Sequence, residues 1–317
     1  MKGIWISWER HRRNIGISNA LGFELFEIII EENRLWRYIC SSLKTVSIII
    51  KEKPDIVVSQ NPSIVLSLLV VFLKKLLGYK AIVDAHNSGI FPLEGKYKFL
   101  NLLSKIVQKK ADITIVTNKE LKNIVEKNGG KAFVLPDKIP KVCEKLEKLP
   151  LEDGFNIVYI CSWVEDEPFD EVIKAAYLIP KNIFLYFTGN YKGKVQKYSL
   201  PENVRLLGYI SEKHYWNLLF SSDAIMDLTK RENCLVCGAY EGIALLKPLI
   251  LSDTKVQKDL FNKGCVYVKP EAISIAKEIK ELVQNYNKLK EEIVELKESY
   301  EKIWDRSLEI FKREIYV

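Results

Sequence analysis

Residues 229–253, TKRENCLVCGAYEGIALLKPLILSD, hold the groups in this chain best suited to chemistry. They read as an irregular loop, a short helix bearing one glutamate (Glu241), a Lys-Pro stop and a buried strand. A carboxylate accepts two hydrogen bonds from vicinal hydroxyls, which suits Glu241 to a ribose diol. Free backbone N–H groups at the start of such a helix suit a phosphate. Two other loops follow apolar runs in the same way: Thr188-Gly189-Asn190 and Gly208-Tyr209-Ile210. Loops at the carboxyl ends of adjacent parallel strands are where α/β sheets bind ligands, so the three together would frame a base, a ribose and a diphosphate. The plainer alternative places Glu241 on a solvated helix face, and spacing alone leaves both readings open.

The first half offers a second set. Arg10, His11, Arg12 and Arg13 follow the first apolar run and put three arginines within four residues. Crowding of that kind is costly unless an anion or carboxylates neutralise it. Contact with a phosphate or an acidic acceptor is one reading, and a solvated basic loop is the other. Asp84-Ala85-His86-Asn87-Ser88 also closes an apolar run. A lone histidine is usually structural, but His86 at a strand end beside Asp84, Asn87 and Ser88 is a candidate for contact with an acceptor or a transferred sugar.

Positioning such groups requires strands that end together. Apolar runs and helical stretches alternate every thirty residues or so, the pattern of a mostly parallel sheet. In the first half the expected strands are 4–7, 55–59, 81–84, 111–116 and 132–135, with helices at 19–25, 36–51, 64–77, 99–109 and 121–127. Residues 136–154 are polar, rich in Lys, Glu and Pro, and read as a linker. The alternation then restarts, with strands at 155–161, 183–188, 204–206, 224–228, 249–252 and 266–268, and helices at 167–178, 214–221 and 237–246. Asp166 and Glu167 read as caps of the helix that follows them. The charged stretch 273–316 reads as helical. Ile275, Leu282, Leu289, Leu296, Ile303 and Ile310 recur every seven residues there, with Ile279, Tyr286, Ile293 and Tyr300 between them. Such a stripe suits either a coiled coil with a partner or a helix laid along its own protein, and the second is preferred.

At 317 residues the chain is long enough for two domains, each with its own core. The net charge of +7 is uneven: residues 1–150 hold 25 Lys and Arg against 15 Asp and Glu, and the remainder 23 against 26. A basic half suggests an anionic partner, or simply a lysine-rich solvated surface. No aromatic-plus-basic pattern supports single-stranded nucleic acid, so no nucleic-acid partner is expected. The longest apolar run, 64–73, is too short to span a bilayer. Six scattered cysteines and no expected leader suit reduced thiols in the cytoplasm. Cys234 and Cys237 form a single C-x-x-C with no second pair, and a zinc site is not expected.

The run Ala224 to Asp253, with Phe187 to Asn190 and Gly208 to Ile210, resembles the C-terminal domain of nucleotide-sugar-dependent GT-B glycosyltransferases, in particular the large retaining family 4. That family's pattern is a glutamate, seven residues, a second glutamate, Ala, three residues, Gly, any residue and Pro. Glu241 stands at the second glutamate and Pro248 at the proline. Asn233 replaces the first glutamate, Gly242 the Ala and Leu246 the Gly. The family's phosphate-binding Arg and Lys after the first strand of the domain are replaced by the acidic stretch Cys161 to Pro168. The Asp84-x-His86-Asn87 stretch is similar to one in some sugar-transferring relatives, including the chitobiosyl-diphosphodolichol mannosyltransferase group.

The resemblance implies an α/β protein with two Rossmann-like, doubly wound domains facing a central cleft. A first, acceptor-side domain would cover 1–150 and a nucleotide-sugar domain 151–295. A helix at 296–317 would cross back to the first domain. It implies a hexosyltransferase-type enzyme, of the retaining kind, that moves a sugar from a UDP- or GDP-type donor to a glycan or lipid-linked carbohydrate, as in polysaccharide biosynthesis. Glu241 would bind the ribose, and Leu235, Val236, Asn233 and Arg231 would lie at the diphosphate and sugar. Thr188, Gly189 and Asn190 would line the cleft, and Tyr209 and Ile210 would flank the base. His86 and Asp84 would be catalytic, and Arg10 to Arg13 would meet the acceptor or a phosphate. No metal and no cofactor are expected, the nucleotide sugar being a substrate. A cytoplasmic protein touching the inner face of an anionic membrane is the expected setting. A nucleotide-sugar epimerase and a non-catalytic GT-B subunit are the alternatives.

Overall fold

The computed structural model describes residues 1–142, 145–196 and 199–316; Cys143, one of the six cysteines, lies outside the described residues. The chain divides into two compact units, Met1–Lys138 together with the residues from Lys302 onward, and Ile139–Glu301.

In the first unit the order is β1 (Gly3–Ser7), α1 (Arg12–Leu21), β2 (Glu24–Glu27), α2 (Arg34–Glu52), β3 (Ile56–Asn61), α3 (Ile64–Leu77), β4 (Lys80–Ala85), α4 (Asn87–Ile90), a 3-10 turn (Pro92–Gly95), α5 (Lys98–Lys110), β5 (Ile113–Val116), α6 (Lys119–Lys127) and β6 (Ala132–Val134). The strands form one parallel sheet in the order β2-β1-β3-β4-β5-β6. β1 and β3 are buried along their whole length, as parallel strands covered on both faces must be, which is why they read as near-continuous apolar runs. Helix ends follow local chemistry. Asn33, Ser63 and Asn118 accept backbone N–H bonds at the starts of α2, α3 and α6, and Gly22 and Gly78 close α1 and α3 in the left-handed conformation. The helix expected at 19–25 is instead α1 at 12–21, and the arginine run enters its first turn; Leu25 belongs to the edge strand β2.

The second unit continues with β7 (Phe155–Tyr159), α7 (Phe169–Ala176), β8 (Ile183–Thr188), β9 (Val204–Gly208), α8 (Glu212–Ser221), β10 (Ala224–Asp227), α9 (Cys237–Ala244), β11 (Leu249–Ser252), α10 (Lys255–Leu260), β12 (Cys265–Val268) and α11 (Ala272–Gln284). Its six strands are again all parallel, in the order β12-β11-β10-β7-β8-β9. The polar stretch read as a linker to residue 150 largely packs here: the N–H groups of Glu147, Leu149 and Glu152 donate to Asn217 Oδ1, Ser221 Oγ and Tyr186 Oη at 3.0, 2.7 and 2.9 Å.

The final helix, α12 (Tyr286–Ile315), belongs to the second unit up to Glu301 and to the first from Lys302. Ile275, Ile279, Leu282, Leu289, Ile293, Leu296 and Tyr300 of α11 and α12 are buried, as the stripe requires. Ile303 and Ile310, members of the seven-residue row, are exposed, and Trp304, Leu308, Phe311 and Ile315 are buried in their place. A straight α-helix drifts by about 20° per heptad, so a seven-residue row rotates out of a face that a 3.6-residue row keeps. Within the first unit Phe311 packs on Phe133 with ring centroids 4.9 Å apart, and Trp304 Nε1 donates to the Pro136 carbonyl at 2.9 Å. The stripe therefore serves the chain's own packing.

Candidate active site

In each sheet the strand order turns at one place, between β1 and β3 in the first and between β7 and β10 in the second. Such switch points leave a crevice at the carboxyl ends of the strands. In the second unit the loops after β7, β8 and β10 all open there.

Glu241 lies on α9, directly after that crevice, and is buried with 6% of its surface exposed. The solvated-face reading is thereby excluded. Its Oε2 accepts a short hydrogen bond from the Tyr215 hydroxyl on α8. Asp227, the last residue of β10, holds the other end of α9: its Oδ2 accepts from the Gly238 N–H at 2.8 Å. A Cβ on Gly238 would overlap Ile160 and press on Asp227, so only glycine permits this approach. Burial pushes the Asp227 carboxyl well above the usual carboxylate range; Gly238 opposes the shift, and Glu167, Glu241 and Asp166 add to it. Neither Tyr215 nor Asp227 was among the residues expected from sequence, although Asp227 ends a buried strand and Asp84 stands one residue from the end of another.

The acidic loop after β7 is folded on itself. The Glu167 carboxylate accepts from the backbone N–H of Ser162 at 2.9–3.0 Å and of Val164 at 3.3 Å, and from the Cys161 thiol at 3.2 Å. Glu167 thus ties its own loop rather than capping α7, which starts at Phe169 behind Pro168. Asp166 Oδ2 accepts from the Thr229 hydroxyl at 3.1 Å and lies 3.4 Å from Arg231 Nη1, which joins this loop to the one before α9. Arg231 is therefore held beside an acid.

The remaining expected donor residues sort by exposure. Thr188 is buried, and its hydroxyl accepts from the Cys161 N–H at 3.1 Å, linking β8 to the loop after β7. Gly189 takes φ +78°, and a Cβ there would overlap the Cys161 carbonyl. Asn190 is exposed and turns its Oδ1 to the Lys192 N–H at 3.2 Å. Tyr209 stands 90% exposed, Ile210 and Asn233 are half-buried, and Leu235 leads to Val236, the buried N-cap of α9. After α9, Leu246 N–H donates to the Ile243 carbonyl and Lys247 N–H to that of Gly242, at 3.2 and 2.9 Å. This closing motif places Leu246 at φ +56°, a left-handed position that explains the glycine of the resembled pattern. Burial pushes the Cys234 thiol up to about 12.

In the first unit the expected site is rebuilt around Arg13. Its guanidinium donates to both oxygens of Asp84 at 2.7–3.0 Å, to Asp137 Oδ1 at 2.6 Å and to the Leu135 carbonyl at 2.8 Å. Arg13 and Asp84 side chains are completely buried. Arg13 is thus held by carboxylates of its own unit and is no phosphate or acceptor ligand. Asp84, expected to be catalytic, is shielded from any substrate and acts by holding Arg13. Burial opposes ionisation of Asp137, but Arg13, by charge and by hydrogen bond, together with His86 and His11 outweighs it, and the carboxyl shifts down. Arg10 and Arg12 are exposed.

His86, just after β4, is 22% exposed, but its Nε2 is buried, 3.7 Å from Asp84 Oδ2 and without a hydrogen-bond partner among the described residues. Burial lowers its pKa to about 4; Asp84 works against that shift and Arg13 with it. The ring is therefore neutral at pH 7. His11 caps α1 with Nδ1 accepting from Arg13 N–H at 3.3 Å, and its ring meets His86 edge-on at 4.9 Å.

Comparisons with known proteins bear on the fold and on the family of the second unit. Residues 144–299 match the family described as "Glycosyl transferases group 1". No curated protein matches the chain in sequence. Among solved structures it resembles sucrose-phosphate synthase from Thermosynechococcus elongatus at TM-score 0.77 and 12% identity, covering 100% of this chain and 99% of that one. It resembles Anabaena HepE in complex with UDP-glucose at TM-score 0.72 and 11% identity, covering 100% and 98%. A Listeria monocytogenes protein assigned as a UDP-N-acetylglucosamine 2-epimerase shares the fold at TM-score 0.62 and 14% identity, covering 93% and 91%. Two parallel sheets of this build give the chain the GT-B fold, and residues 144–299, most of the second unit, belong to the glycosyl transferases group 1.

Proposed function

We propose that the protein transfers a hexose from a nucleoside-diphosphate sugar, of UDP or GDP type, to a hydroxyl of a glycan or lipid-linked carbohydrate, with retention of configuration. The observation that carries this reading is the buried carboxylate of Glu241 on the helix that follows the switch-point strand β10. A buried acid beside a crevice suits a ribose diol, which would exchange with the Tyr215 hydroxyl as hydrogen-bond donor. The loops at Thr188–Asn190, Tyr209–Ile210 and Arg231–Val236 would surround the rest of the donor. HepE, a protein of the same fold, was solved with UDP-glucose, which supports a donor of that class.

On the first unit, His86 is neutral and keeps part of its ring exposed, which suits a sugar hydroxyl better than a phosphate. That supports a carbohydrate acceptor. Retention is supported by the resemblance of residues 233–248 to a retaining family. No cofactor is proposed, since the donor carries its own activated leaving group.

The test is a thermal-shift panel of UDP- and GDP-sugars, run on the wild type and on Glu241→Ala. A donor-induced rise in the wild type that disappears in the variant supports the site, and a rise kept in the variant refutes it. The likeness to an epimerase-assigned fold sustains a second reading. Isomerisation of a free UDP-sugar with no acceptor present would select it.

A further inference from the structure

Helix α2 of the first unit is amphipathic in the reverse of the usual sense. The residues it buries are Ser41, Thr45 and Ile49, two of them hydroxylated. Its solvent side carries Leu35, Trp36, Ile39, Leu43 and Ile50, all exposed, with Leu43 at 66%. At about 100° per residue these five fall within an arc of roughly 100°, so they form one continuous apolar ridge. Arg37, Lys44 and Lys51 fall together along one border of that ridge.

The same composition continues on the neighbouring helices. α2 packs beside α3, and α3 beside α5. Phe72 and Leu76 of α3 are exposed, Leu76 at 79%, and so are Phe99 and Leu102 of α5, Phe99 at 69%. The Lys110 ammonium of α5 lies 5.1 Å from the Phe72 ring centroid of α3, and Lys74 donates to the Lys110 carbonyl at 2.7 Å. Together the three helices hold ten Lys and Arg against one acid, Glu52. That acid is itself occupied by Lys2 at 2.6 Å. An apolar patch of this extent is uncommon on a surface that only meets water.

We propose that this face of α2, α3 and α5 docks on an anionic lipid bilayer. Aromatic and aliphatic side chains flanked by lysines are what the headgroup boundary accepts: the apolar ridge enters the acyl border and the cations remain at the phosphates. Charge argues against a second copy of the chain, since two such faces would bring ten cations against ten. No helix of the described residues is long and apolar enough to cross a membrane, so contact here is along a surface. The proposal is independent of the donor site.

The experiment is co-sedimentation of the full chain with vesicles of phosphatidylcholine alone and of phosphatidylcholine mixed with phosphatidylglycerol. The wild type should bind the mixed vesicles, bind the neutral ones far more weakly, and be released by raised salt. Lys44→Gln with Lys51→Gln should weaken binding by roughly thirtyfold, and Trp36→Ser with Leu43→Ser by about tenfold or more. All four side chains are exposed, so the variants should keep the wild-type circular dichroism. Wild type that ignores anionic vesicles, or variants that bind as well as wild type, would overturn the proposal. So would a wild-type dimer in analytical ultracentrifugation that Trp36→Ser with Leu43→Ser dissociates, because the occupant would then be a second copy.

Discussion

Asp84→Asn is the sharpest test of the buried charge cluster in the first unit. The substitution keeps the shape and one acceptor oxygen but removes the charge facing a fully buried guanidinium. Arg13 would retain Asp137 at 2.6 Å and the Leu135 carbonyl at 2.8 Å. Removing one partner of a buried ion pair costs about 3–5 kcal/mol, and the surviving contacts place this case near the lower end, about 3 kcal/mol. For a unit of this size that lowers the unfolding midpoint by about 6–12 °C. Urea unfolding followed by circular dichroism would measure it, with the slope against urea compared between proteins. Arg13→Met combined with Asp84→Leu should recover most of the loss, because an apolar pair of similar volume needs no neutralisation. The pH dependence has a defined sign. Asp137 titrates below the usual range, so its contribution is present above about pH 4 and is lost as pH falls through the lower folded value. If Asp84→Asn costs less than about 1 kcal/mol, or Arg13→Met alone is harmless, the cluster does not hold the fold as described.

Three further outcomes are expected. His86 titrates at about 4 when folded, so between about pH 6.5 and 4 the unfolded chain binds a proton that the folded one refuses, and stability should fall as pH is lowered through that window. His86→Gln should flatten this slope in pH-dependent thermal melts, and an unchanged slope would reject the shift. Leu246→Gly should raise stability by about 1 kcal/mol in urea unfolding, since a left-handed leucine is strained and a glycine is not; a loss would show that the partly buried side chain matters more. Glu167→Gln keeps an acceptor for the Ser162 N–H but removes a charge from the loop after β7, and should tighten UDP binding by about five- to tenfold in calorimetry while leaving uridine unchanged. Equal effects on both ligands would assign Glu167 to loop structure alone.

Most strands were legible because buried parallel strands are written as apolar runs, and β3, β4 and β8 are such runs in the chain. β2 was not, because Glu24-Leu25-Phe26-Glu27 is a half-exposed edge strand with acids at both ends. The start of α1 was hidden for an electrostatic reason. Arg12 and Arg13 look like loop residues until Asp84 and Asp137, distant in sequence, are known to meet Arg13. In the second unit the place of Glu241 at a strand-end helix could be read from spacing, but its burial could not. The Tyr215 hydroxyl comes from a different helix, and no local pattern pairs the two. The seven-residue row predicted the buried face of α11 and the start of α12, then failed at Ile303 where the helical drift outran it.

The division of α12 between the two units also has a consequence for synthesis. The first unit borrows Trp304, Phe311 and Ile315 from the far end of the chain, and Lys80 Nζ donates to the Ile315 carbonyl at 3.0 Å. A ribosome delivers Met1–Lys138 first, but that segment lacks these apolar groups until every residue of the second unit has been translated. The second unit, continuous in sequence, can close as it emerges. The first is complete only once the residues from Lys302 onward have been made. Shortening the chain after Glu301 should therefore harm the amino-terminal unit more than the carboxyl-terminal one.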